Sequence, residues 1–284
     1  MKTEYKRIFI LCIVLAAMII SALGFYFQNL IYVAAFQFFE PDISLERIEI
    51  ETEKIKISDM EKDSRIEINQ SLMLINTEYR INNSEVFDIT EYKSSGVKMN
   101  VCMLSAYEKL SEAVFSETGK KLYVSSHFRS KEDQSELYEE SPELATEPGA
   151  SEHEAGLCLD IYVQYNAGDN FLKTDAGKFV NTKCHEYGFI IRYPHYGASE
   201  TGIRFEPWHI RYVGEIHAKI IYANSLTLEE YVFSLEENVF YSVDNYIITR
   251  QRPCDGYILV PEGFEKYTVS PDNTGCYIVT LYCK

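Results

Sequence analysis

The stretch SEHEAGLCLD, residues 151–160, poses the problem from which the fold is read. Leu157, Leu159 and Ile161 alternate as one face of a buried strand, and the same period of two sends Cys158 and Asp160 to the other face. An ionised carboxylate inside such a strand needs a partner that restores its lost solvation, and a cation is the simplest. His153 is a second cation ligand by type, but it lies too far along an extended chain to meet Asp160 directly. Gly156 must therefore bend the segment back, a turn that glycine permits.

Zinc takes imidazole nitrogen and carboxylate oxygen, and a catalytic zinc keeps three protein ligands and one open position. His209, in RFEPWHIRYVG at 204–214, is the third candidate. Glu206 precedes it by three residues, Pro207 stiffens the link and Trp208 offers a dry wall. A carboxylate so placed suits proton transfer from a metal-activated water to a leaving amine. Taken alone, His153 and Asp160 read more readily as a surface pair or a satisfied buried hydrogen bond; the combination with Glu206 and His209 points to a metal.

The chain has 284 residues, 46% of them hydrophobic and 25% charged, with a formal net charge of -16. That is globular composition, and the acidity excludes a nucleic-acid partner, which needs clustered Lys and Arg. From Ile8 to Phe27 no charge occurs, a helical length that matches the hydrocarbon core of a bilayer. Lys2, Lys6 and Arg7 precede this run and Glu40 and Asp42 follow it, so the charge bias predicts a short cytoplasmic tail, an uncleaved single-pass anchor and an extracytoplasmic remainder. A cleaved signal peptide and a buried core helix are the competing readings, and Cys12 reads as a lipid-facing apolar residue. The seven cysteines contain no C-x-x-C pair, and Cys254, Cys276 and Cys283 leave room for one disulfide outside the membrane.

The composition divides the chain into a tail, anchor and interfacial extension at 1–39, a charged stalk at 40–69, a compact domain at 70–232 and a small β-rich module at 233–284. LMLIN at 72–76 reads as a short apolar run near the start of the compact domain, the stretch ending at Gly119 as a helix and KLYVSS as a strand. Ser130–Glu140 reads as a helix, GFIIRY and EPWHIRYVG as further strands, and EIHAKIIYANSLTLEEYVFSL as a helix. Helices and strands alternate without a βαβ repeat, so the class is α+β. In the tail, Tyr, Val, Ile and Phe alternate between turn formers, which predicts three to five short antiparallel strands.

The patterns S-x-H-x-x-G-x-x-x-D at 151–160 and EPWHIRYVG at 206–214 resemble the zinc D-alanyl-D-alanine carboxypeptidases of the VanY type and their dipeptidase relatives. SSHFRSKEDQ at 125–134, LMLINTEYRI at 72–81 and GFIIRYP at 188–194 extend the resemblance across about 70–232. It implies a domain with a central, mostly antiparallel sheet and flanking helices. It implies His153, Asp160 and His209 as ligands of a Zn2+ cofactor and Glu206 as general base and acid. It further implies Arg129 facing the scissile carbonyl or the substrate carboxylate, Gln134 and Ser151 bonding the terminal carboxylate and amide, and Trp208 beside the substrate. Without it, Gln134 is a helix-surface glutamine and Ser151 a loop cap.

Two positions depart from the family pattern: Cys158 stands where alanine is usual, and His127 where glycine is common. Cys158 reads as a small apolar residue, with a thiolate ligand as the rarer alternative allowed by its direction. His127, His185, His195 and His217 match no ligand position and read as surface or loop residues. The implied function is a membrane-anchored enzyme that removes the C-terminal D-Ala from peptidoglycan stem peptides or precursors, with a role in glycopeptide resistance. An L,D-carboxypeptidase or D,D-dipeptidase on the same scaffold, and a non-catalytic wall-binding module, are the alternatives.

Overall fold

A computed structural model describes residues 2–142 and 145–283. The half that carries residues 151–160 and 204–214 is organised by a four-stranded antiparallel sheet in the order Tyr123–Ser126, Cys158–Tyr162, His209–Tyr212, Phe189–Ile191. The register sets Asp160 opposite both His209 and Ser126. Helix Leu104–Thr118 buries Tyr107, Leu110 and Val114, one face at helical spacing, and ends at Gly119 in the left-handed conformation. Helix Asp175–Lys183 is capped by Thr174, whose hydroxyl accepts from the Gly177 amide. Both helices join the sheet in one core with Leu159, Ile161, Phe189 and Ile210.

Leu72–Ile75 are buried but form no strand. Their backbone is satisfied from outside a ladder: Leu72 N donates to Ser270 Oγ, Leu74 N to Asp272 O, and Arg211 Nη2 donates to Ser71 O and Met73 O. The long helix expected after Gly214 is two helices, Glu215–Ala223 and Leu228–Ser234. The break has local causes. The Asn224 side chain exchanges hydrogen bonds with the Ile43 backbone, Ser225 has φ 52, and Thr227 with Glu230 forms a capping box that starts the second helix.

The stretch read as a stalk contributes three strands, Glu46–Ile48, Thr52–Lys56 and Ile66–Ile68. The first and last are the two edges of a six-stranded sheet whose inner strands are Phe240–Val243, Tyr246–Gln251, Tyr277–Tyr282 and Tyr267–Pro271. Pairing is antiparallel except between Tyr267–Pro271 and Ile66–Ile68. Thr52–Lys56 pairs with Tyr257–Pro261, and Ile55 and Met60 enter the same core as Val260, Val269 and Val279. Among the isolated apolar residues between charges, Ile48, Ile55 and Ile66 are therefore inward positions of short strands and Ile57 and Met60 of the 3-10 turn Ile57–Lys62, whereas Ile68 is exposed. Helices Glu215–Ala223 and Leu228–Ser234 lie in one core with Leu72 and Leu74 and with Tyr241, Ile248 and Ile278 of the second sheet.

Helix Lys2–Phe38 carries the N-terminal apolar run. No single described helix is long and apolar enough to cross a membrane; Leu15–Gly24 and Phe27–Phe38, bent by 65°, pass together by length and composition. The end of the helix docks on the half that carries residues 151–160, with Val33 buried and Gln37 Nε2 donating to Tyr196 OH at 3.0 Å and Tyr222 O at 3.1 Å. The side chains of Lys2, Lys6, Arg7 and Cys12 lie outside the described residues. Cys102, Cys158, Cys184, Cys254, Cys276 and Cys283 are free thiols. His185 and His217, expected at the surface, are buried: His185 stacks on Tyr222, and His217 bridges Tyr231 OH and Thr280 Oγ1.

Candidate metal centre and active site

The bend required of Gly156 is present. Residues Glu152–Ala155 form a 3-10 turn that ends at Gly156 with φ 63. A Cβ there would lie 2.6 Å from Ile89 Cδ1 and 2.9 Å from Asn100 N, so both conformation and space call for glycine. Asn100 holds the turn, donating its backbone amide to Gly156 O and its side-chain amide to Ala155 O. His153 is thereby folded back onto the strand that carries Asp160.

Asp160 Oδ2 lies 3.5 Å from His153 Nε2, and Oδ1 lies 2.9 Å from His209 Nδ1. His153 Nδ1 donates to His127 O at 2.9 Å, which leaves the Nε2 lone pair facing Asp160. His127 thus acts through its backbone. Cys158 Sγ and one ring nitrogen each of His153 and His209 all lie within 4.8 Å of one another.

The donor set fits a cation. Asp160 Oδ1 and His209 Nε2 are buried without a well-aligned hydrogen bond: the 2.9 Å approach of His209 Nδ1 to Oδ1 is a close ionic contact and not a directed bond. Burial alone would raise the Asp160 pKa, but the neighbouring His209 and His153 hold it far below the usual carboxylate range. Burial would conversely lower His153, yet Cys158 and Asp160 raise it to about 9; His209 is raised for the same reasons. The pocket therefore favours positive charge against its own desolvation, the condition under which a metal displaces protons from imidazole.

Glu206 Oε2 is 3.9 Å from His209 Nδ1. Its backbone amide donates to Tyr193 O and its carbonyl accepts from His209 N, so the turn through Pro207 fixes acid and imidazole together. Burial raises the Glu206 pKa, opposed by His209. Trp208 is half-buried against the sheet core, with the Arg204 guanidinium 5.1 Å from its ring centroid.

Arg129 is tied to the centre by its backbone amide, which donates to His153 O at 3.0 Å. Its Nη2 donates to Ser126 Oγ at 2.8 Å and its Nη1 to Gln134 Oε1. Gln134 is neither a surface glutamine nor free for substrate: it is fully buried, and its Nε2 donates to Thr146 O at 2.7 Å. Both ends are engaged, so it holds Arg129. Ser151 is buried at the start of the 3-10 turn, and its hydroxyl makes no cap bond.

Four residues beneath the centre escaped sequence reasoning. Glu152 Oε1 accepts from Arg192 Nε at 2.7 Å and Arg211 Nη1 at 2.6 Å, and Arg192 continues to Glu229 at 2.8 and 2.6 Å. Glu152 Oε2 stands 3.8 Å from His209 Nε2. Burial would raise Glu152, but the two guanidinium groups and His209 hold it ionised far below its ordinary value. The available signal was period: Arg211 shares the face of His209 two residues on, inside a strand otherwise apolar.

Two imidazoles and a carboxylate around one point, with the half-buried Glu206 beside them, are a donor set that suits a metal ion. The family profile described as VanY: D-alanyl-D-alanine carboxypeptidase matches residues 96–215. A D-alanyl-D-alanine carboxypeptidase of Enterococcus faecalis is 30% identical over 190 residues, 60% of this chain and 69% of the relative. One from Enterococcus faecium is 36% identical over 172 residues, 56% of this chain and 53% of the relative. The chain belongs to the VanY family. It spans about half the length, or less, of the first curated relatives it matches.

Among solved structures, the D,D-pentapeptidase VanY from a VanB-type resistance cassette, in complex with Zn(II), is 30% identical, with a TM-score of 0.50 over 57% of this chain and 98% of that one. The LdcB LD-carboxypeptidase is 31% identical, with a TM-score of 0.53 over 63% and 94%. The D,D-dipeptidase VanXYg, at 24% identity, shares the fold over 83% of this chain and 100% of its own, with a TM-score of 0.66.

Proposed function

We propose that this chain is a zinc-dependent carboxypeptidase that removes the C-terminal D-Ala from peptidoglycan stem peptides or their precursors. The observation that carries the reading is the half-buried Asp160 carboxylate set between His153 and His209, at 3.5 and 2.9 Å, with Glu206 alongside. His153, Asp160 and His209 would hold the zinc. When bound, the ion polarises a carbonyl and brings the pKa of water toward about 7.

Glu206 accepts the proton of the attacking water as its oxygen adds to the penultimate carbonyl carbon. It returns that proton to the nitrogen of the departing D-Ala as the C–N bond breaks, and its burial keeps its proton affinity above that of a free glutamate, as both halves of the transfer require. Arg129, held by Gln134 and Ser126, presents a fixed guanidinium to negative charge on the substrate, either the growing oxyanion or the terminal carboxylate. Gln134 contributes by positioning Arg129, and Trp208 walls the site.

The same reading places the enzyme on the outer face of the cell membrane. Its support is the uncharged run Ile8–Phe27 behind Lys2, Lys6 and Arg7, and the exposed side chains Ile13, Leu15, Met18, Ile19, Ile20 and Leu23. There the enzyme meets stem peptides, and trimming D-Ala-D-Ala ends would reduce the glycopeptide targets.

A second selectivity has a specific observation in its favour: the LD-carboxypeptidase LdcB is about as similar as the D,D-pentapeptidase. The test is full-length protein in detergent, with and without chelator, incubated with pentapeptide, tetrapeptide and D-Ala-D-Ala, and products identified by mass. Chelator-sensitive loss of one D-Ala from pentapeptide is expected. Release from tetrapeptide alone would transfer the assignment to the L,D class, and cleavage of the free dipeptide alone to the dipeptidases.

A further inference from the structure

Cys158 opens the strand Cys158–Tyr162, two residues before Asp160 and on the same face. The neighbouring strand sets Arg211 opposite Cys158 and His209 opposite Asp160, so the sulfur belongs to the row of side chains that builds the centre. It is fully buried, a free thiol, and outside the apolar core that holds its neighbours Leu159 and Ile161.

Geometry separates a ligand from a packing residue here. Cys158 Sγ and ring nitrogens of His153 and His209 lie within 4.8 Å of one another. A tetrahedral zinc with bonds of about 2.0–2.3 Å holds its donors roughly 3.3–3.8 Å apart, so this triangle needs to contract by only about an ångström to close on an ion. An alanine at this position would leave Asp160 as the only anionic donor touching both imidazoles; here two anionic donor types face the same pair.

We propose that Cys158 is a metal-facing ligand, so that the centre offers the ion a sulfur donor in addition to His153, His209 and Asp160, with water or substrate taking a fifth position. The inference rests on the metallopeptidase reading of the site and specifies its donor set. A thiolate in the cage shifts preference toward thiophilic ions such as zinc and cadmium over manganese or magnesium.

X-ray absorption at the zinc edge tests this with the full-length chain in detergent, loaded with one equivalent of zinc and accompanied by metal analysis. A Zn–S shell at about 2.3 Å beside nitrogen and oxygen scatterers at about 2.0–2.1 Å is expected in the wild type. In Cys158→Ala the sulfur shell disappears while bound zinc remains, an effect that a packing role would not produce. A wild-type spectrum with nitrogen and oxygen neighbours alone overturns the proposal and leaves the metal reading standing. A sulfur shell that survives Cys158→Ala assigns the signal to another cysteine and also overturns it. Failure of the wild type to retain any zinc removes the metal reading itself and this proposal with it.

Discussion

The two larger sheets of the molecule each draw a carboxylate out of water, and they treat it in opposite ways. Asp272, beside the second sheet, is fully buried and fully served. Its Oδ2 accepts from Arg250 Nε at 2.6 Å, while Oδ1 accepts the backbone amides of Thr274 at 2.8 Å and Cys276 at 3.0 Å. Asp160, in the catalytic sheet, keeps Oδ1 without a well-aligned hydrogen bond, and His209 Nε2 and Glu152 Oε2 share that condition. Among the described residues three of the six such buried, unpartnered side-chain atoms are at this centre, the others belonging to Asn181, His185 and His195, and none lies in the C-terminal strands. Since an ionised group out of water must be compensated, a closed network marks structure and an open one marks a place where something from outside completes the set.

The largest effect expected from this contrast is on turnover. Glu206→Gln should lower kcat by about 10²–10⁴-fold, the usual worth of a positioned acid–base group, with zinc content unchanged by metal analysis. A variant that kept its turnover would remove Glu206 from the chemistry. On the closed side, Asp272→Ala leaves the buried Arg250 with only Thr274 Oγ1 and the longer Glu237 contact at 3.8 Å, so unfolding by urea should become easier by about 3 kcal/mol while the folded fraction still binds zinc. Loss of zinc without loss of stability would reverse the roles given to the two carboxylates. Gln134→Ala acts more weakly, through one hydrogen bond to Arg129. A fall of about tenfold in kcat/KM is expected, with partial rescue by Gln134→Glu, whose carboxylate can still accept from the guanidinium.

The catalytic half was largely legible because its information is local. Period two in LCLDI, the glycine between His153 and Asp160, and the short rigid link from Glu206 to His209 each state a direction within a few residues, and the register then brings them together. The residues read poorly were those whose partners are remote. Ile48 pairs with Phe240 and Ile66 with Tyr267, and strands of three residues among charges carry too little alternation to announce a sheet. Glu152 was hidden because an acidic residue in a loop reads as solvated until Arg192 and Arg211 are folded over it. Gln134 was misread for a related reason: on a polar helix only the tertiary contact with Arg129 and Thr146 distinguishes it from its exposed neighbours.

The smallest predicted effect separates two buried histidines by pH. His217 lies in the core shared by the two halves with both ring nitrogens partnered, by Tyr231 OH and Thr280 Oγ1, and burial pulls its pKa down from 6.5 to about 3. Its folded value lies below its unfolded one, so the unfolded chain takes up a proton that the folded chain refuses as pH falls through 6.5. Its stabilising contribution is therefore complete above 6.5 and declines toward pH 3. Between pH 7 and pH 6 this one group should cost about 0.7 kcal/mol, read as the difference between the chelator-treated wild type and His217→Asn in how urea stability changes over that interval. His217→Asn should be less stable at both values but lack this loss. His209 has the opposite sign: its raised pKa stabilises the ion-free fold below 6.5, and that contribution is lost as pH rises through the folded value. Removing it should shift the pH 7 to 6 slope in the direction opposite to His217→Asn, because one of the two raised imidazoles that oppose His217, the other being His153, is then lost. Equal slopes in the two variants would mean that the closed and open sites do not differ in the way their hydrogen bonding indicates.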